Sequence, residues 1–334
     1  MVQRAYAGFL KIGEALYRLG LQAIYLGYRA GFLKTHRLPV PVVSVGNLTW
    51  GGTGKTPLVI HLAEALASKG FRVAVLTRGY GNDESLLLHK RLDPIPVLVG
   101  PDRVKAGHRA VQEFDANLLL LDDGYQQWRL HKDVEILTAD ARAPFGNGRL
   151  IPRGTLREPR AAAARADLIV VKRDGRGPAE HRPIGEEVRR VNPTAPLFLM
   201  SYRPCRVWRW PDEASVPVKA LEGQKLCTLA GIADPGLFEK TVQGLGVRTA
   251  LRYRVRDHHP YTAGELIRLM TRCRRHGIDG IITTSKDAVR IPRLFLETVG
   301  PELKGMKILV LEVEPVFEPD ESELLHRIGS LLAG

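Results

Sequence analysis

The residues that most constrain this chain are Gly51-Gly52-Thr53-Gly54-Lys55-Thr56. They follow the apolar run Val40-Pro41-Val42-Val43-Ser44-Val45 and precede the helix-like Leu58-Val59-Ile60-His61-Leu62-Ala63. A strand, a glycine turn ending in Lys-Thr and a helix together make a phosphate cradle. Glycines let successive backbone N–H groups turn onto phosphate oxygens, and the helix N-terminus adds partial positive charge. Lys55 is placed to reach the β/γ-phosphates and the Thr56 hydroxyl to ligate Mg²⁺. The first glycine of the common G-x-x-x-x-G-K-[ST] pattern is Thr49 here. A glycine loop can also be a mere flexible turn, but the strand before it, the helix after it and the Lys-Thr end select a nucleoside triphosphate site. That site comprises Thr49, Trp50, Gly51, Gly52, Thr53, Gly54, Lys55 and Thr56.

With 334 residues, the chain is long enough for two domains around large cores. Its 49 Lys+Arg against 36 Asp+Glu give a net charge of +13, a field that attracts polyanions such as nucleic acid, anionic lipid headgroups or phosphorylated substrates. Cys205, Cys227 and Cys273 are odd in number, with no C-x-x-C pair, which argues against a disulfide framework or a zinc site and fits a reducing cytosol. No apolar run approaches the roughly 18 residues of a membrane-spanning helix.

The N-terminal segment nonetheless has a membrane-like pattern. On a helix, Arg4, Lys11, Arg18, Gln22 and Arg29 share one narrow stripe, and Phe9, Ile12, Leu16, Leu19, Leu26 with Leu10, Tyr17, Leu21 and Ile24 cover most of the rest. Gly13, Gly20 and Gly27 recur every seven residues and permit close approach of another helix or a lipid chain. Lys11, Glu14 and Arg18 interrupt any secretory core, so no signal peptide is expected. Two readings fit: an interfacial helix lying in an anionic membrane surface, or a helix packed on the protein's own core.

Short apolar runs alternate with helical stretches, the pattern of a parallel sheet covered on both faces. Strands are predicted at 40–45, 72–77, 97–99, 118–121, 134–138, 168–171, 196–200, 225–230, 250–255, 280–284 and 307–312. Helices are predicted at 57–69, 103–113, 184–191, 236–245, 262–276 and 321–332. The expected organisation is an amphipathic helix over 1–36 and a phosphate-loop α/β domain over 37–202. A crossover or hairpin linker over 203–222 and a second, smaller α/β domain over 223–334 complete it.

Leu118-Leu119-Leu120-Leu121-Asp122-Asp123 is an apolar strand ending in two carboxylates. In nucleotide-binding folds such a strand lies beside the phosphate loop and its Asp holds Mg²⁺, although Asp before Gly124 also suits an ordinary turn. Three further clusters fall at predicted strand ends, the ligand edge of an open parallel sheet. They are Arg78-Gly79-Tyr80-Gly81-Asn82-Asp83-Glu84, Pro152-Arg153-Gly154-Thr155-Leu156-Arg157-Glu158-Pro159, and Arg256-Asp257-His258-His259-Pro260-Tyr261. Taken singly, His258 and Asp83 read equally well as ordinary surface residues.

The combination is more specific. The loop in its context Ser44-Val45-Gly46-Asn47…Thr56-Pro57 resembles that of the tetraacyldisaccharide 4′-kinases, the lipid A 4′-kinase family. So do Arg78-Gly79-Tyr80, Asp83-Glu84, Asp102-Arg103, Asp122-Asp123-Gly124-Tyr125-Gln126 and Leu156-Arg157-Glu158-Pro159. Ala230-Gly231-Ile232-Ala233 with Pro235, Asp257-His258 and Thr283-Thr284-Ser285-Lys286-Asp287 continue the series in the family's order over nearly the whole chain. Four features depart from the family pattern: Gln127 in place of His, Thr155 in place of Asn, Ser85 in place of Pro, and a shortened segment before Asp83.

The resemblance implies ATP-dependent phosphorylation of the 4′-hydroxyl of a tetraacyl glucosamine disaccharide 1-phosphate. It also implies a monotopic monomer at the cytoplasmic face of the inner membrane, with ATP and Mg²⁺ as cofactors and no nucleic-acid partner. Lys55 and the loop amides would hold the ATP phosphates; Thr56 and Asp122 or Asp123 would hold Mg²⁺. Asp83 is then the candidate base, with His258 orienting it from the second domain, so that the pair forms on closure. Arg78, Arg103, Arg157 and Glu158 are candidate substrate contacts. Three competitors are a membrane-associated partitioning ATPase, whose signature Lys is replaced by Trp50, a non-enzymatic nucleotide switch that binds nucleic acid, for which the sequence offers no basic stripe with interleaved aromatics, and a lipid or sugar kinase with another acceptor.

Overall fold

In the computed structural model the described residues are 2–79, 83–173, 186–292, 294, 295, 300, 303 and 305–333. Tyr80, Gly81 and Asn82 of the first strand-end cluster, and 184–185 of one predicted helix, lie outside them. The chain forms two compact units: Met1–Gly79, Leu88–Ser201 and Pro315–Gly334 make unit 1, and Tyr80–Leu87 with Tyr202–Glu314 make unit 2.

Unit 1 is a parallel sheet of β1 (Val42–Asn47), β2 (Val73–Thr77), β3 (Val97–Val99), β4 (Leu118–Asp122), β5 (Val134–Asp140), β6 (Leu168–Lys172) and the start of β7 (Leu197–Trp210). Their order is β7-β6-β5-β1-β4-β2-β3. β1 and β4 are buried along their whole length, which is why they read as continuous apolar runs and not as alternating strands. Helices α1 (Val2–Arg29), α2 (Lys55–Ser68), α4 (Arg103–Phe114) and α5 (186–191) accompany this half of the chain, and α3 (Asp83–Leu92) begins in unit 2 and enters unit 1 at Leu88. The register places Asp122 beside Val45, so β4 ends next to the strand that feeds the phosphate loop.

Unit 2 has strand order β10-β9-β11-β12-β7, where β9 is Lys225–Ala230, β10 Arg248–Arg254, β11 Gly280–Thr284 and β12 Lys307–Glu318. Its helices are α6 (Pro235–Gly244), α7 (Ala263–Arg275) and the short α8 (Ser285–Ala288). One core gathers Trp208, Leu229, Leu266, Met270, Phe295 and Ile308.

Three expectations are corrected. The region around Asp83, read as a loop, is helix α3: Asp83 and Glu84 suit the positive helix N-terminus, and Leu87, Leu88 and Leu92 are buried. The stretch 203–222, read as a crossover or hairpin between domains, is a hairpin within unit 2, where β7 pairs antiparallel with β8 (Ser215–Val216). The chain does not finish in unit 2. β12 runs on to Glu318, and α9 (Glu321–Ala333) returns to unit 1, where Leu324 and Ile328 are buried and His61 meets Glu321 at 3.0 Å.

Helix α1 packs on the protein's own core along one face and leaves an apolar face exposed. Its inner face packs on unit 1 through Tyr17 and Leu21, with Glu14 buried. Its outer face leaves Tyr6, Phe9, Ile12, Leu16, Leu19 and Leu26 each at least 60% exposed. Gly13 admits a neighbour from this chain: a Cβ there would stand 2.9 Å from Pro152. No helix among the described residues is long and apolar enough to cross a membrane.

Candidate active site

The phosphate loop leaves β1 at Asn47 and enters α2 at Lys55. Gly51 (φ 131°) and Gly54 (φ 86°) hold backbone conformations that a side chain would strain. Gly54 caps α2 without any side-chain acceptor, so the amides of the first turn are left for an anion. Asn47 of the family motif, together with Thr138 and Lys172, which no motif flags, braces the loop. Asn47 Nδ2 donates to the Thr49 carbonyl at 2.6 Å, and Asn47 Oδ1 accepts from Lys55 Nζ at 3.2 Å. Thr138 Oγ1 donates to the Gly46 carbonyl at 3.1 Å, which leaves Thr53 Oγ1 to donate to Thr138 Oγ1 at 2.7 Å. Lys172 Nζ donates to the Gly52 carbonyl at 2.7 Å and pairs with Asp140 at 3.0 Å. The Trp50 N–H donates to the Thr155 carbonyl, a backbone contact that Thr in place of Asn leaves intact.

At the end of β4, Asp122 is buried and accepts from Thr77 Oγ1 at 3.2 Å. Asp123 has a positive φ of 53° and faces two cations: Arg157 Nη1 at 2.8 and 2.9 Å from its two oxygens, and Lys55 Nζ at 3.6 Å. Burial works to raise the Asp123 pKa, but the charges of Lys55 and Arg157 outweigh it and hold the carboxyl below its usual range. Thr56 stands in the first turn of α2. Buried hydroxyl and carboxylate oxygens suit a hard cation that completes its shell with phosphate and water; among the described residues no cluster of three or more His, Cys, Asp or Glu offers an all-protein metal cage.

The other expected contacts divide. Arg78 is exposed at the end of β2. Arg103 is buried, and its Nη1 donates to the Gly100 carbonyl at 2.7 Å; burial lowers its pKa against the opposing charge of Asp122. Glu158 does not serve as a substrate contact in this geometry. It is fully buried, accepting from Arg165 Nη1 and Nη2 at 2.7 Å each, Gln126 Nε2 at 2.8 Å and Tyr25 Oη at 2.5 Å.

Asp83 and His258 are joined. Asp83 is 2% exposed, and His258 Nδ1 lies 2.9 Å from each of its carboxylate oxygens. Both belong to unit 2, so the pair lies within one unit and not, as expected above, across two. His258 has φ 61°, an uncommon left-handed conformation for a side-chain-bearing residue, and its N–H donates to Asp257 Oδ1. Lys286 Nζ reaches His258 Nε2 at 3.4 Å and Glu84 and Asp257 at 3.2 Å each. With Lys286 donating to Nε2, the imidazole carries its proton on Nδ1 toward Asp83. Burial lowers the Lys286 pKa, but Glu84, Asp257 and Asp83 reverse this and raise it. Lys286 lies in a motif that resembles the family's, yet its spacing alone gives it no role.

A sequence model described as "Tetraacyldisaccharide-1-P 4'-kinase" matches residues 6–332 of the chain. The chain belongs to the tetraacyldisaccharide 4′-kinase family. The tetraacyldisaccharide 4′-kinase of Geobacter metallireducens is 36% identical over 99% of this chain and all of that protein. That of Geobacter sulfurreducens is 37% identical over 86% of this chain and 85% of its own length. Among solved structures, the "apo" form of LpxK from Aquifex aeolicus in complex with ATP matches with a TM-score of 0.72 at 28% identity. It covers 99% of this chain and 100% of its own. This family member is therefore an ATP-binding kinase on an α/β, phosphate-loop fold.

Proposed function

We propose that the chain transfers the γ-phosphoryl group of ATP to the 4′-hydroxyl of a tetraacyl glucosamine disaccharide 1-phosphate. The observation that carries this reading is the buried Asp83 carboxylate held 2.9 Å from His258 Nδ1, in a chain whose other unit builds a braced phosphate loop. A sugar hydroxyl is a weak nucleophile, and a fixed carboxylate can accept its proton as the oxygen attacks phosphorus. The Nδ1–H of His258 orients that carboxylate, and Lys286 lies 3.4 Å from Nε2 on the other side of the ring. Lys55 and the first amides of α2 hold the transferring phosphates, whose negative charge needs stabilising in place.

Thr56, Asp122 and Asp123 are the residues that would hold Mg²⁺, which neutralises phosphate charge when bound. The Arg157–Asp123 pair supports this assignment by keeping the carboxylate ionised. Arg103 and Arg78 remain the candidate phosphate contacts. The exposed apolar ridge of α1, flanked by Lys11, Arg18 and Arg29, supports peripheral attachment to the anionic cytoplasmic face of the inner membrane, with the chain acting as a monomer.

The decisive assay is mass spectrometry of product formed from ATP and a tetraacyl disaccharide 1-phosphate. The expected product gains one phosphate at the 4′-position, and Lys55→Ala lowers the rate by orders of magnitude. Near-normal lipid phosphorylation by Lys55→Ala would overturn the reading.

A further inference from the structure

The inner face of α1 carries more than apolar packing. Glu14 accepts from Leu150 N at 3.2 Å and from Arg153 Nη1 at 3.1 Å, and Tyr17 Oη donates to the Arg157 carbonyl at 2.8 Å. Tyr25 Oη donates to the buried Glu158. From Glu158 the hydrogen bonds continue without a break. Gln126 Nε2 donates to Glu158 Oε1 at 2.8 Å and to the Asn47 carbonyl at 3.0 Å. Gln126 Oε1 accepts from Arg157 Nη1 at 3.3 Å. Arg157 holds Asp123 and Asn47 holds Lys55. A helix serving only as an anchor needs none of these contacts, because Tyr17 and Leu21 already pack it on the core.

We propose that Tyr25 is a positioning residue of the nucleotide site: through Glu158 and Gln126 it fixes Arg157 and Asn47, and thereby Asp123 and Lys55. The helix that presents an apolar ridge to a lipid surface is thus also a strut of the phosphate-binding machinery. This inference rests on the assignment of Lys55 and Asp123 to Mg²⁺·ATP made above. Buried polar networks of this kind act as units, so loosening one member shifts the others.

The test is Tyr25→Phe in the full chain. It keeps the ring, which stacks edge-on against Trp128 at 4.8 Å, and removes only the hydroxyl. Affinity for a non-hydrolysable ATP analogue with Mg²⁺ is expected to fall about three- to tenfold, the scale of one net hydrogen bond. Sedimentation with phosphatidylglycerol vesicles is expected to be unchanged. Tyr28→Phe, whose ring also lies near Trp128 at 6.2 Å, is expected to leave nucleotide affinity at the wild-type value. Wild-type nucleotide affinity in Tyr25→Phe, alongside its loss in Lys55→Ala, would overturn the inference and leave the nucleotide site standing. Equal losses in Tyr25→Phe and Tyr28→Phe would overturn it too, by pointing to general packing. Retention of nucleotide affinity by Lys55→Ala would instead remove the site assignment itself.

Discussion

Lys172 offers a perturbation whose size follows from the structure. Its side chain closes β6 at 5% exposure, with the ammonium 2.7 Å from the Gly52 carbonyl and 3.0 Å from Asp140. Lys172→Met keeps most of the stem and removes the charge. Burial raises the Asp140 pKa, but the hydrogen bonds of Arg142 and the charge of Lys172 more than reverse this and bring it from 3.8 to about 2. At about 1.4 kcal/mol per unit, such a shift corresponds to roughly 2.5 kcal/mol as a ceiling. Asp140 is partly open to solvent and Arg142 keeps its two bonds at 2.9 and 2.7 Å. Screening and that retained partner reduce the share of Lys172 to about 1 kcal/mol. The orphaned Gly52 carbonyl adds about 1 kcal/mol more. The variant is therefore expected to lose about 2 kcal/mol of unfolding free energy at neutral pH.

The pH dependence of this loss has a definite sign. A depressed carboxylate pKa stabilises the fold fully above its unfolded value and loses that contribution as pH falls through the folded value. The gap between wild type and Lys172→Met should accordingly hold down to about pH 4 and narrow toward pH 2. Freeing Gly52 also loosens the loop amides, so the KM for ATP should rise about fivefold for each kcal/mol lost from phosphate binding. Urea unfolding at pH 7 and pH 3, with ATP-dependent initial rates at pH 7, measures all of this. Wild-type stability together with a wild-type KM for ATP would refute the reasoning.

Asp83→Ala and His258→Ala should each lower kcat strongly with ATP affinity nearly intact, and the double variant should be little worse than the poorer single one, because groups acting as a unit are non-additive; additive few-fold losses in one lipid-kinase assay would dissolve the pair. Vesicle sedimentation should weaken with salt, since each base near an anionic surface contributes about 1 kcal/mol. It should also weaken in Phe9→Ser combined with Leu16→Ser, which alters the outer face of α1 alone, whereas unchanged binding would leave α1 a core helix only. Gly46→Ala would bring a Cβ within 2.6 Å of the Tyr125 backbone nitrogen. It is expected to cost about 1–3 kcal/mol of stability, read as a lower Tm, and a wild-type Tm would show that the β1 end yields freely.

What the sequence by itself determined was the part written in contiguous residues. A buried strand, three glycines, Lys55-Thr56 and an apolar helix specify a phosphate loop because the turn, its amides and its cation come from one short segment. The tetraleucine run ending in Asp122-Asp123 likewise announced its place beside that loop, and β1 and β4 do pair with Asp122 level with Val45. The family match over residues 6–332 agrees with motifs that sequence order alone displayed. Tertiary structure decided everything that depends on which side chains are buried together. Asp83 and His258 are 175 residues apart, and only folding into one unit makes them a pair. Glu158 looked like a ligand because it is charged and sits in a rigid loop. It is instead an internal strut, since a carboxylate sealed from water must be matched by donors, here Arg165, Gln126 and Tyr25. Lys172 carries no local signature, because a lysine at the end of an apolar strand becomes a loop brace only where the carbonyl of Gly52 arrives 120 residues distant in sequence. Helix α1 read as either membrane or core because both environments reward the same apolar periodicity. Its polar side chains Glu14, Tyr17 and Tyr25 turn inward to partners more than 130 residues away, and those contacts fix which face is which.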